Sequence, residues 1–253
     1  MSERRPRWWL RILSGVVVLA LLGGAAELAL RMIIPGIVGA QVRQALDLSS
    51  DHQVETELGG SVALRALTGK VGDVTVRVPD APVVSGIVAD LSAHADSVPF
   101  NVAGGEIVGG TARITLSSGQ LDPAVALLTR GVAETGEIDQ GELVVGRSTD
   151  VFGQAIPLTV RLALSVEDGD VLLSPTSVSV VGLSLTAEQI SAATGTLLDP
   201  ILRPEPLCVR SEIPAGITLT DISLSSTGSA NIDVALSPRI LSDATMRQPG
   251  SCS

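Results

Sequence analysis

The run Ala155-Ile156-Pro157-Leu158-Thr159-Val160-Arg161-Leu162-Ala163-Leu164-Ser165-Val166 alternates without a break between a larger aliphatic residue and a small or polar one, Arg161 excepted in size. Successive side chains of an extended chain point to opposite faces. Ile156, Leu158, Val160, Leu162, Leu164 and Val166 therefore predict one continuous aliphatic face on a single strand. From Ile156 to Val166 that strand spans about 33 Å, roughly twice the usual length. Arg161 falls on the opposite face and is expected at the surface.

Outward from this run the period-two pattern continues. Asp168-Gly169-Asp170 is a hairpin turn, and Val171 to Val181 is the returning strand. Thr186-Ala187-Glu188-Gln189 opens a helix through Leu198 with Thr186 as its cap. Pro200, Pro204 and Pro206 predict an extended linker. A last hairpin joins Ile217–Ser226 to Ala230–Leu236 around Thr227-Gly228, with Ile232, Val234 and Leu236 on one face. Upstream, strands are expected at Val54–Leu58, at Val74–Val78 ending at Pro79, at Ile87–Ala95 and at Ala112–Leu116. Gly59-Gly60 is a turn, and Val62–Leu67 is an apolar segment closed by Gly69. Glu106-Ile107-Val108, bracketed by glycine pairs, reads as a short strand between turns. Asp122-Pro123 predicts the cap and first residue of a short helix over Ala124–Leu128. Pro35-Gly36 predicts a break, followed by a helix with Ile34, Ile37, Val38, Val42, Ala45 and Leu46 on one side. The architecture is α+β: long, curved antiparallel strands with two or three helices.

The core must be aliphatic, because the chain has two Phe, two Trp and no Tyr. Charge is divided unevenly. Arg4, Arg5, Arg7 and Arg11 against Glu3 and Glu27 give residues 1–30 a balance of +2, so the rest carries −12 of the total of −10. A domain this acidic repels polyphosphate, which argues against nucleic acid as a partner. Its contact with lipid is expected to be apolar in the main.

The N-terminal arginines precede an unbroken small and apolar run from Ile12 to Ala26, with Trp8 and Trp9 at its edge. Basic residues hold that end in the cytoplasm, and the aromatic pair suits the membrane interface. Two readings stand. Gly24-Ala25-Ala26 fits a signal-peptide cleavage site before Glu27. Alternatively the helix continues through Leu28, Leu30, Met32, Ile33 and Ile34 as an uncleaved anchor, with Glu27 and Arg31 as i,i+4 partners. The continued apolar character favours the anchor. The expected organisation is a cytoplasmic start over 1–11, a membrane anchor over 12–34, a β-rich domain over 35–241 and a tail over 242–253. The domain is then held by a single-pass anchor in the extracytoplasmic envelope. Cys208 and Cys252 are the two cysteines, an even count that predicts a disulfide in an oxidising compartment and ties the tail to the domain.

Catalytic equipment is sparse. His52 beside Asp51 and Glu55 reads as a solvated loop, and His94 lies in a strand next to Asp96. No nucleophile elbow or phosphate-binding glycine loop occurs. No metal site, cofactor or enzyme activity is expected.

The order of elements resembles the LmeA family of envelope phospholipid-binding proteins from actinobacteria. The matching stretches are Val42-Arg43-Gln44-Ala45-Leu46-Asp47-Leu48 and Leu64-Arg65-Ala66-Leu67-Thr68-Gly69-Lys70, the latter leading into Val74–Val78. The long alternating strand follows, and then Cys208 with Ile213-Pro214-Ala215-Gly216-Ile217-Thr218-Leu219. The resemblance runs from about residue 30 to about 240. It implies a tubular lipid-binding type of domain, a long and highly curved sheet wrapped around a helix. It also implies phospholipid as the partner and a part in maintaining envelope lipids or lipoglycans. No family residues carry over as catalytic. The expected lipid-binding residues therefore come from the strand faces: Ile156, Leu158, Val160, Leu162, Leu164, Val166, Ile232, Val234 and Leu236. A structural envelope protein acting through protein contacts is the alternative. A glycan hydrolase is the weakest reading, since glycosidases need paired carboxylates and such enzymes use aromatic platforms that this chain lacks.

Overall fold

The computed structural model describes residues 8–84, 86–101, 103–129, 131–151, 154–180, 183–186, 189 and 205–252. The chain opens with α1 (Trp8–Ala45), β1 (Glu55–Leu58), α2 (Val62–Ala66), β2 (Lys70–Val84), β3 (Ile87–Pro99) and β4 (Thr111–Leu116). Next come α3 (Leu121–Leu128), β5 (Thr135–Asp139), β6 (Glu142–Val151), β7 (Gln154–Glu167) and β8 (Asp170–Val180). It closes with β9 (Leu183–Thr186), β10 (Glu205–Leu207), β11 (Ile217–Leu224) and β12 (Ala230–Leu236).

Two antiparallel sheets account for these strands. The first has the order β1-β2-β3-β4-β12-β11, and the second β10-β8-β7-β6-β5 with β9 beside β8. Neither closes into a barrel. The last hairpin of the chain thus returns to the sheet made by its first half, with β12 pairing β4 from Ala230↔Leu116 to Ala235↔Thr111. The long strands carry β-bulges, in β2 between Val78 and Ala81, in the β7–β8 ladder next to Arg161, and in β11 between Leu219 and Asp221. An extra residue on one strand bends it and increases its twist, which is how strands of this length curve. The result is the expected α+β fold of curved antiparallel sheets.

Three apolar clusters hold the parts together. Ile34 of α1, Val62 of α2 and Val71 and Val74 of β2 form the first. Leu121 of α3 meets Ile138 of β5 and Ala230 of β12 in the second, so α3 packs where the two sheets approach. Val171 of β8, Leu219 of β11 and Val234 of β12 form the third. A disulfide joins Cys208 to Cys252 with Cα atoms 6.0 Å apart. The tail it holds is also laid along the chain before β11, where Ala215 and Gly216 donate to the carbonyls of Gln248 and Met246, each at 2.8 Å.

Several expectations are corrected. Pro35 does not break the helix: α1 runs through it to Ala45. An interior proline costs a helix about 3 kcal/mol, and the packing of Leu30, Ile34 and Val38 on either side offsets it. Pro79 does not end β2, which continues to Val84. The proline sits at the bulge between Val78 and Ala81, where the ladder is interrupted anyway. Asp122 is not the cap of α3. A 3-10 turn over Ser118–Gln120 runs directly into the helix, which places Gln120 at the cap. The Asp122 carboxylate instead accepts from the Gly136 amide at 2.7 Å, tying α3 to β5. Glu106–Val108 forms only an isolated bridge, Val108 with Ser97. Thr186 ends β9 and exchanges hydrogen bonds with Gln189, backbone N to Oε1 at 2.9 Å and Gln189 N to Thr186 Oγ1 at 3.3 Å. That is the reciprocal pattern of a capping box. The rest of the helix expected there, and Pro200 and Pro204 of the linker, lie outside the described residues.

Candidate functional site

The aliphatic face of β7 is extended sideways by its neighbours. Across β6, β7, β8 and β9 one row runs Val145, Val160, Val178, Leu185, and the next, across β6 to β8, runs Arg147, Leu158, Val180. Further along, Leu143 and Pro175 flank Leu162, Leu173 faces Leu164, and Val171 faces Val166. Paired residues in an antiparallel ladder share a face, so these rows make one broad aliphatic surface. The bulge on β8 is what keeps it continuous. Leu162 pairs with Pro175 but Arg161 with Ser177, which leaves Thr176 as the extra residue. The Thr176 hydroxyl donates to the Arg161 carbonyl at 3.3 Å. Because it is bulged out of the ladder, Val178 and Val180 keep the side already held by Val171 and Leu173.

Burial along this surface is greatest beside the β7–β8 turn and least around Leu158. At the inner end, Val166 and Leu173 pack with buried Val171 against β11 and β12, where they meet Leu219, Ile232, Val234 and Leu236. Ile156, Val160, Leu162 and Leu164 are half-buried. At the outer end, Leu158 is 39% exposed, Val180 42% and Leu185 52%. The nine residues expected to bind lipid therefore divide in two. Val166, Ile232, Val234 and Leu236 are brought together in one packed cluster. Ile156, Leu158, Val160, Leu162 and Leu164 continue the same face away from it. Val145, Val178, Val180, Leu185 and the cation Arg147 belong to this surface as well. They escape a reading by strict alternation, because strand register and the Thr176 bulge decide which face they take. The signal that could have found the bulge is the parity change on β8, from Val171, Leu173 and Pro175 to Val178 and Val180.

The opposite face is polar and ion-paired. Arg161 bonds to the Asp139 carboxylate and lies 3.7 Å from Glu142. The hydrogen bond to Asp139 is the main cause that raises its pKa. At the β7–β8 turn, Arg210 grips Asp170 through two bonds of 3.1 and 2.6 Å and holds that carboxyl below its ordinary pKa. On the first sheet Arg113 and Asp233 form a similar fork, at 2.6 and 3.0 Å. His94 lies across from Thr75, with Nδ1 3.1 Å from the hydroxyl and Nε2 3.3 Å from Asp96. It is a surface cross-strand contact. His52 bonds through Nε2 to the Pro79 carbonyl at 2.8 Å. Among the described residues no group of three or more His, Cys, Asp or Glu is placed to hold a metal.

Comparison with known proteins adds one match. A family model described as LmeA-like phospholipid-binding covers residues 25–228, from the middle of α1 to the turn before β12. No curated protein and no solved structure gives a significant match. The match takes in the second sheet, with the whole aliphatic face of β7, and all of the first sheet but β12, and on that extent the chain belongs to the LmeA-like phospholipid-binding family.

Proposed function

We propose that the protein holds phospholipid acyl chains on the aliphatic surface of β6, β7 and β8, and that it does so in the cell envelope at the membrane from which α1 extends. The observation that carries this reading is the course of the surface. It starts in the core at Val166 and Val171 and runs on to half-exposed Leu158, Val180 and Leu185. Ile156, Leu158, Val160, Leu162 and Leu164 are the contacts for the chains. Val166, Ile232, Val234 and Leu236 close the inner end. β7 from Ile156 to Val166 offers about 33 Å of apolar face, longer than an extended acyl chain. Burial at about 25 cal/mol per Å² makes even partial coverage of two chains worth several kcal/mol. Arg147 shares a row with exposed Leu158 and is the group suited to a lipid phosphate. The reading needs no catalytic step and fits support of envelope lipid or lipoglycan maintenance.

The test is native mass spectrometry of the purified full-length chain, with Leu158→Asp and Val180→Asp beside the wild type. Phospholipid is expected on the wild type and lost from variants that keep their circular dichroism spectrum. A carboxylate at these half-exposed positions can reach water, so the fold should survive. A wild type that neither carries phospholipid nor takes it up from vesicles overturns the proposal.

A further inference from the structure

Glu27 and Arg31 lie one turn apart on α1 and are joined at 2.8 Å. Together they hold the start of α2. The Glu27 carboxylate accepts from the amides of Val62 at 3.0 Å and Ala63 at 2.8 Å and from the Ser61 hydroxyl at 3.1 Å. Arg31 donates to the Gly60 carbonyl. Val62, 1% exposed, is the anchor of α2 in the core beside Ile34. From Glu27 onward α1 is thus part of the folded domain. The helix from Trp8 to Ala26 measures about 28 Å at 1.5 Å per residue, close to the ~30 Å of a bilayer core.

Between the two helices lies an apolar groove of about 620 Å³, walled by Gly23, Gly24, Ala26 and Leu30 of α1 and by Leu64 and Leu67 beside it. Gly23 is about 6 Å before Glu27 along the axis, so the groove reaches down the segment that suits the membrane. Leu64 and Leu67 are 67% and 84% exposed. Phe100, 52% exposed, is at the same end, its amide bonded to the Gly69 carbonyl at 3.0 Å. From Ser61 to Lys70 the only charged residues are Arg65 and Lys70, a basic tip on an otherwise acidic domain. Exposed leucines with an aromatic residue and flanking cations are the composition that enters a headgroup boundary.

We propose that this tip is a bilayer-docking element. Leu64, Leu67 and Phe100 enter the outer leaflet of the membrane that α1 crosses, its acyl chains fill the α1–α2 groove, and Arg65 and Lys70 meet lipid phosphates. The Glu27–Arg31 clasp fixes the tip to the anchor, so the domain stands in one orientation on the leaflet. This rests on α1 being an uncleaved anchor, and it is independent of lipid held by β7.

The test uses the full chain in vesicles of phosphatidylethanolamine and phosphatidylglycerol, with the native disulfide kept and one further cysteine carrying an environment-sensitive fluorophore. The reporters are Leu67→Cys at the tip, Leu21→Cys in the membrane segment and Leu128→Cys, an equally apolar exposed position at the end of α3. The Leu67 and Leu21 labels are expected to shift to the blue and lose emission to doxyl-labelled acyl chains, and the Leu128 label to do neither. A Phe100→Cys reporter should be quenched likewise, and should lose that quenching when Leu64→Asp and Leu67→Asp are added. Quenching at Leu21 without quenching at Leu67 overturns the docking element and leaves the anchor standing. No quenching at Leu21 overturns both.

Discussion

Asp170 and Arg210 illustrate how single residues secure the inner end of the candidate site. Their two-bond contact ties the turn between β7 and β8 to the chain beside Cys208. Arg210 holds the Asp170 carboxyl below its usual pKa, which is about 3.9. A carboxylate with a depressed folded pKa contributes stability that is complete above the unfolded value and is lost as pH falls through the folded one. The difference in melting temperature between the wild type and Asp170→Asn should therefore be constant near neutrality and shrink below about pH 4. A difference independent of pH would show that the pair adds nothing electrostatic. Asp168, at φ +51°, and Gly169, at +81°, make the turn itself. Positive φ at both central positions matches the twist of a two-residue hairpin, which is why Asp-Gly was readable in advance.

At the scale of elements, β8 and the C-terminal tail carry the sharpest expectations. Deleting Thr176 removes the bulge and joins Pro175 directly to Ser177, so Val178 and Val180 keep the aliphatic face, whereas one serine inserted between Ser177 and Val178 turns both valines to the polar face. The deletion variant should retain the hairpin and its bound phospholipid, and the insertion variant should retain only the turn-proximal half and lose the lipid. Amide hydrogen exchange would reveal the slip of the insertion variant as faster exchange confined to the half of β8 beyond Pro175. The tail is held differently. The bond between Cys208 and Cys252 closes a long loop, and the chain-entropy estimate for such a loop is on the order of 4 kcal/mol. Cys252→Ser should lower the melting temperature and leave the strand signal in circular dichroism intact, because the tail's bonds to Ala215 and Gly216 lie outside both sheets.

For the whole molecule the decisive feature is α1, which is one helix from the apolar N-terminal segment to the first core cluster. An uncleaved anchor predicts that the full chain stays with membranes after alkaline carbonate washing. A soluble mature form beginning at Glu27 would establish cleavage instead. In that form Glu27 would keep its bonds to Val62 and Ala63, since both partners lie on the retained side. The acidic body and basic tip also give the molecule a charge direction. Such an arrangement orients the tip toward an anionic surface and turns the body away from it.

Much of this was determined by the sequence alone. Strict alternation from Ile156 to Val166 specifies a strand because only a period of two places those six side chains together. Asp168-Gly169 and Thr227-Gly228 marked their hairpins, and the order of weak motifs was enough to suggest the family. Other outcomes lay with tertiary structure. Pro35 and Pro79 read as boundaries locally, yet packing by Ile34 and a bulge beside Val78 absorb them. Asp122 looked like a cap until a preceding 3-10 turn moved the helix start and Gly136 took its carboxylate. Alternation also gives every aliphatic residue on a face the same weight. The return of β12 to β4 buries Val234 with Val166 beside it, while nothing comparable covers Leu158 among the described residues. That difference depends on which distant strands meet, a contact between residues far apart in the chain that no local period encodes.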